Sequence, residues 1–252
     1  MGLPQDTTGT LPYVFAPYDQ NFQDYANFVA ACVQRYGPMG VLAYEIWNEP
    51  NNSYFWADSP ASPYPNAERY VQLLQRAYIA AKNSNHACVI ITGGMASGDG
   101  TDPRFIPARD YLSQIYQHGG KNYFDAVGHH PYSYPTVPSD PQPWSNWTIM
   151  NESSPSLRSI MTTHGDAAKK IWMTETGAPT SGVGAVTEAI QSQNNLESVV
   201  RNASYDWAGP VFIWTYRDTA AYSATADNAP YWGVYKQDDT PKPSVAALKN
   251  LI

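Results

Sequence analysis

The chain has 252 residues, a formal net charge of −7 and two cysteines. That charge gives no electrostatic footprint for nucleic acid, no apolar run is long enough to span a membrane, and two cysteines make neither a disulfide framework nor a zinc cluster. With 43% hydrophobic residues the chain can bury a substantial core, and its length suits a single α/β domain.

Residues 1–20 are rich in Pro, Thr and Gly and read as an irregular segment. Met1-Gly2-Leu3-Pro4-Gln5-Asp6 lacks the basic start and apolar stretch of a signal peptide. From Asn21 to Tyr36, Phe22, Tyr25, Ala26, Phe28, Val29 and Cys32 recur at helical spacing, and Gly37-Pro38 stops the helix. A strand is expected over 41–47, then a loop carrying Tyr54, Phe55 and Trp56, then a helix over 67–84. Cys88-Val89-Ile90-Ile91-Thr92 reads as a buried strand; Cys32 and Cys88 are expected as buried free thiols. A helix at 108–118 precedes a strand over 123–129, and the Pro- and Trp-rich stretch 133–152 reads as loop. A helix at 155–166, a strand at 170–175, a helix at 185–206, a strand at 211–216 and a last helix from Pro243 to Leu251 complete the order. Alternating strands and helices predict a parallel sheet with crossover helices, and no linker divides residues 1–252.

Two strands end alike. Leu42-Ala43-Tyr44-Glu45-Ile46-Trp47-Asn48-Glu49-Pro50 closes on a carboxylate stopped by proline, and Ile171-Trp172-Met173-Thr174-Glu175-Thr176-Gly177 delivers a second. A pair of strand-end carboxylates fits glycoside hydrolysis, in which one acts as acid/base and the other as nucleophile or base. Asn48 beside Glu49 can donate to a sugar hydroxyl. His130 and Tyr132, after the 123–129 strand, and Trp214, near the end of the last strand, are candidate lining residues. His129 and His130 are adjacent on a strand and point to opposite faces, so they fit a metal poorly. Trp56, Trp144, Trp147, Tyr222, Tyr231 and Trp232 sit in long loops after strands; of these Trp56, Trp144 and Trp232 are the expected stacking platforms for the apolar face of a sugar. Glu45 shares a face with Glu49, is expected to point inward, and would then need a partner. No Gly-x-Ser-x-Gly elbow is present, which ranks an esterase low.

These residues resemble clan A glycoside hydrolases. Tyr44-Glu45-Ile46-Trp47-Asn48-Glu49-Pro50-Asn51 is similar to that clan's fourth-strand motif, and Trp172-Met173-Thr174-Glu175-Thr176-Gly177 to its seventh. His130-Pro131-Tyr132 and Phe212-Ile213-Trp214 fit strands six and eight, and Thr240-Pro241-Lys242-Pro243 is similar to the end of the family 39 branch. The resemblance covers roughly residues 20–252. It implies a (β/α)₈ barrel, a retaining mechanism with Glu49 as acid/base and Glu175 as nucleophile, a carbohydrate substrate and no cofactor or metal. Strands one to three have no clear counterpart, apart from one short irregular candidate at Thr10–Ala16. The expectation is therefore an incomplete barrel holding strands four to eight, whose open edges a second chain could cover. The alternative is a weak or inactive carbohydrate-binding fragment that needs the missing part.

Overall fold

A computed structural model describes residues 15–59, 61–96, 98, 101–221 and 228–251. In chain order these form α1 (Phe22–Tyr36), β1 (Ala43–Asn48), α2 (Ala67–Ser84), β2 (Val89–Gly94), α3 (Ala108–Gln117), β3 (Ala126–His129), α4 (Asn146–Asn151), α5 (Leu157–Thr163), β4 (Lys170–Thr176), α6 (Glu188–Ala203), β5 (Ala208–Ile213) and α7 (Pro243–Lys249). The five strands follow one another in the sheet in chain order. Most of the candidate strand Thr10–Ala16 lies outside the described residues, as does Tyr222. Phe15 makes an isolated parallel bridge to Ala57.

The described chain falls into two compact units. One runs through to His129 and takes in Leu157–Trp172. In it β1 pairs in parallel with β2, from Ala43 opposite Val89 to Asn48 opposite Gly94, and β2 with β3 at Ile91 opposite Ala126. Helix α1 buries Phe22, Ala26, Val29 and Val33, the spacing of one apolar stripe, and packs on α2, whereas Phe28, expected among the apolar positions, lies off that stripe and is 62% exposed. Helix α2 starts where Asn66 Oδ1 accepts the Arg69 N–H, and buries Tyr70, Leu73, Leu74, Ala77 and Ala81. Arg69 also reaches Asp19, Asp58 and Pro17 O, fastening the segment that leads into α1. The second unit is His130–Ser156 with Met173 onward. Its buried side chains include Trp147, Met150, Met173 and Tyr231.

Several expectations are corrected. The stretch read as loop at 133–152 contains α4. Residues 120–123, at the start of the expected 123–129 strand, form a 3₁₀ turn, and β3 begins only at Ala126. Cys88 is buried, but Cys32 is only half-buried; both thiols are unbridged. Glu45 is exposed rather than buried. It does share a face with β3, because a Cβ built on Gly128 would stand 2.8 Å from Glu45 Oε1 and 2.3 Å from Thr92 O. Only glycine permits so close an approach of strand and carboxylate.

Candidate active site

The first group of candidate residues lies at the end of β1. Two residues there, Trp47 (φ 74°) and Glu49 (φ 43°), occupy the left-handed region. Each such residue costs on the order of 1–3 kcal/mol and persists only where its surroundings over-determine it. The surroundings are specific. Trp47 Nε1 donates to Phe55 O at 2.8 Å, and its ring packs edge-on against Trp56 at 5.2 Å. A regular parallel ladder would carry the Gly93 N–H to Ile46 O. Instead the Tyr70 hydroxyl stands between them, accepting from Gly93 N at 2.7 Å and donating to Ile46 O at 3.0 Å. Gly93 is required: a Cβ would lie 2.8 Å from Pro50 Cδ and 2.9 Å from both Ile46 O and Trp47 O.

Beyond the strand, Glu49 N donates to Gly94 O at 3.1 Å and Asn52 N to Glu49 O at 2.9 Å. Buried Asn51 donates to Ala96 O and Ile106 O and accepts from Ala96 N, pinning the turn from inside. The half-buried Glu49 carboxylate is thus presented on a fixed turn, with Asn52 Nδ2 donating to its Oε2 at 2.8 Å. Asn48 is half-buried, opposite Gly94 in the register. Trp56 does not fit the role of stacking platform. It is 0% exposed, held between Trp47 and Tyr70 with Nε1 donating to Asn66 O, and so packs its own loop.

The second group lies in the other unit, around the end of β4. Tyr132 Oη donates to Glu175 Oε2 at 2.8 Å, and His130 Nδ1 stands 3.6 Å from the same oxygen. His130 is fully buried, and its carbonyl accepts from Asn146 Nδ2 at 2.9 Å. The Tyr132 and Tyr134 rings each meet Trp232 edge-on, at 5.3 and 5.0 Å. Burial pushes the Tyr134 phenol above its usual range. Trp214 follows β5, donates its N–H to Thr176 O at 2.8 Å and exposes 47% of its surface. Its carbonyl lies 2.5 Å from where a Cβ on Gly177 would be, so glycine after Thr176 lets the two chain segments close up. Trp144 is 46% exposed, whereas Trp147 is buried.

Of the expected residues, then, His130, Tyr132, Glu175 and Trp232 form one connected cluster, and Asn48 and Glu49 share one turn. Asn52, Tyr70, Tyr134 and Asn146 were not anticipated. Asn52 is three residues after Glu49 and Tyr134 two after Tyr132, spacings that a turn reading could have flagged.

Among solved structures the chain is similar to a family 39 glycoside hydrolase from the gut symbiont Bacteroides cellulosilyticus WH2, with 23% identity and a TM-score of 0.66 over 96% of this chain and 47% of that one. It is similar to a GH39 β-xylosidase from Caulobacter crescentus, with 18% identity and a TM-score of 0.61 over 94% and 48%. It also aligns with a GH2 β-galacturonidase from Eisenbergiella tayi, with 14% identity and a TM-score of 0.57 over 92% and 36%. The likeness shows a shared α/β fold, and the chain spans about half the length of the GH39 chains it matches. No family model and no curated protein matches it.

Proposed function

We propose that the chain is a retaining β-glycoside hydrolase of the clan A type, carrying strands four to eight of a (β/α)₈-type fold. The observation that carries the reading is the Tyr132–Glu175–His130 cluster at the end of β4, in a fold shared with glycoside hydrolases. Catalytic groups of parallel barrels stand at the carboxyl ends of strands, where both Glu49 and Glu175 are found.

In this reading the Glu175 carboxylate attacks the anomeric carbon while Glu49 gives its proton to the departing glycosidic oxygen. A glycosyl ester on Glu175 results. Glu49, now ionised, takes a proton from water, the water oxygen attacks the anomeric carbon, and Glu175 leaves as carboxylate. Tyr132 donates to Glu175 Oε2, and this hydrogen bond fixes the rotamer of the nucleophile. The Asn52 amide donates to Glu49 Oε2 and so fixes the orientation of that carboxyl. Asn48 orients the substrate, His130 backs Glu175, and Trp214, Trp144 and Trp232 offer ring faces to the sugar.

A second reading, a carbohydrate-binding barrel fragment that turns over only when another polypeptide completes it, is favoured by the apolar residues exposed at both outer strands. Val41 and Leu42, just before β1, are 42% and 58% exposed, and Phe212 on β5 is 49% exposed. A panel of aryl β-glycosides decides between the two. Turnover by the chain alone, with Glu49→Ala losing far more on poor leaving groups than on good ones, supports the first. Glycan binding without turnover supports the second, and equal losses on all leaving groups remove Glu49 from the acid/base role.

A further inference from the structure

Helix α6 is amphipathic in an unusual sense. A helix packed on a sheet ordinarily buries an apolar stripe. On α6 the buried side chains are Gln191, Asn194, Asn195 and Ser198, at i, i+3, i+4 and i+7, all 0% exposed. Burying three amides is unfavourable unless they find partners, and unpartnered amides would cost several kcal/mol. Their partners are mainly groups in the loops, rather than in the strands. Gln191 Nε2 donates to Ala178 O at 2.9 Å, Gly233 O at 3.1 Å and Trp232 O at 3.3 Å. Asn194 Nδ2 donates to Ser133 Oγ at 2.8 Å and Thr136 O at 3.1 Å. Asn195 Nδ2 reaches Ser244 Oγ at 3.2 Å.

The loops joined in this way are those that carry the candidate site. Ala178 lies three residues after Glu175, Ser133 follows Tyr132, and Trp232 is the ring on which Tyr132 and Tyr134 rest. Irregular buried backbone has no continuous ladder to satisfy its carbonyls: Trp232 O takes one backbone donor, Thr215 N, while Ala178 O and Gly233 O are served by the Gln191 amide. An apolar stripe could fill the same space but could not fix the backbone of two loops relative to each other. We propose that the amide ridge of α6, with Gln191 as its central member, is the positioning element of the site. Gln191 ties the end of the Glu175 strand to the Trp232 backbone, and so sets the Trp232 ring against Tyr132 and Tyr132 against Glu175. Gln191 touches no reacting atom; it acts through the loops it joins. The kinetic part of this proposal rests on the hydrolase reading, whereas the geometric part does not.

The test uses Gln191→Met, which keeps length and volume but removes the donors, with indole ¹⁵N–¹H spectra in which Trp232 is assigned by Trp232→Phe. The expected result is a shifted or exchange-broadened Trp232 indole while the core indoles of Trp56 and Trp147 stay in place. On an aryl glycoside that the wild type hydrolyses, KM should rise about tenfold, the scale of one or two lost buried hydrogen bonds, with a smaller change in kcat. Restoring an amide one methylene shorter, Gln191→Asn, should leave the Trp232 signal displaced, because the reach to Gly233 O is lost. An unchanged Trp232 indole, or equal movement of all indoles, overturns the proposal. If Gln191→Met does not fold, hydrogen exchange of the wild type decides. Amides of 176–180 and 231–235 should open together with α6, and loop exchange far faster than that of α6 overturns the claim. A wild type inactive on every glycoside removes the hydrolase reading alone, since the indole and exchange measurements still judge the ridge.

Discussion

Tyr70→Phe is the substitution whose cost the structure fixes best. The Tyr70 side chain is fully buried, and its hydroxyl replaces a rung of the β1–β2 ladder, accepting from Gly93 N and donating to Ile46 O. Phenylalanine keeps the ring packing on Trp56 and Tyr111 but leaves one backbone N–H and one carbonyl without that partner, in a place water does not reach. At about 1–3 kcal/mol per buried unsatisfied group, the pair should cost about 3 kcal/mol. For a chain of this size that is a fall in Tm of about 6–12 °C. The neighbouring ring provides the control. Tyr111, 6.0 Å away, is equally buried, and its hydroxyl has no partner among the described residues. Tyr111→Phe therefore removes an unpaired polar group and should be neutral or slightly stabilising. Urea unfolding, with the m-value checked for constancy, reads both. A Tyr70→Phe loss below about 1 kcal/mol, or equal losses in the two variants, would refute the reasoning about this rung.

Three further outcomes are expected. Lys242 and Asp218 form an ion pair at 2.8 Å with both side chains fully buried, so Lys242→Met should cost about 3–5 kcal/mol in denaturant unfolding, and adding Asp218→Asn should recover part of that loss. Burial pushes the Tyr25 phenol up to about 12 and raises those of Tyr70 and Tyr111 well above their usual range. The unfolded chain loses these protons first, near pH 10, so stability is intact below about pH 10 and falls as pH rises through 12; Tyr25→Phe should flatten that fall in pH-dependent unfolding. Trp56→Ala should cost about 3–5 kcal/mol of stability, whereas Trp144→Ala, at an exposed position, should change stability by under about 0.5 kcal/mol and instead weaken glycan binding measured by calorimetry.

How much of this was legible in the sequence depended on whether a local pattern or a tertiary neighbour decided the outcome. The helix over 67–84 and the Glu175 strand were readable because one shows a 3.6-residue apolar period and the other is a short apolar run that closes on its carboxylate and a glycine. Helix α4 escaped because six residues of mixed character carry no period. Alternation placed Glu45 on the inner face, but exposure depends on what else stands over that face, which the strand itself does not encode. The buried face of α6 was invisible for the opposite reason: a stripe of Gln, Asn, Asn and Ser reads as a solvated side until the carbonyls it serves are in view. Left-handed Trp47 and Glu49 are likewise the product of Tyr70, Gly93 and Phe55, all distant in sequence or beyond the strand.

The central claim is that Glu175 is a nucleophile. The most direct test incubates the chain with a slow 2-fluoro β-glycoside and maps the adduct by peptide mass spectrometry, with the anomer of the first product followed by NMR. The account predicts a covalent glycosyl label on Glu175, no label in Glu175→Gln, and product that keeps the β configuration in the first turnovers. Product of inverted configuration, or a label on a different carboxylate, would contradict it.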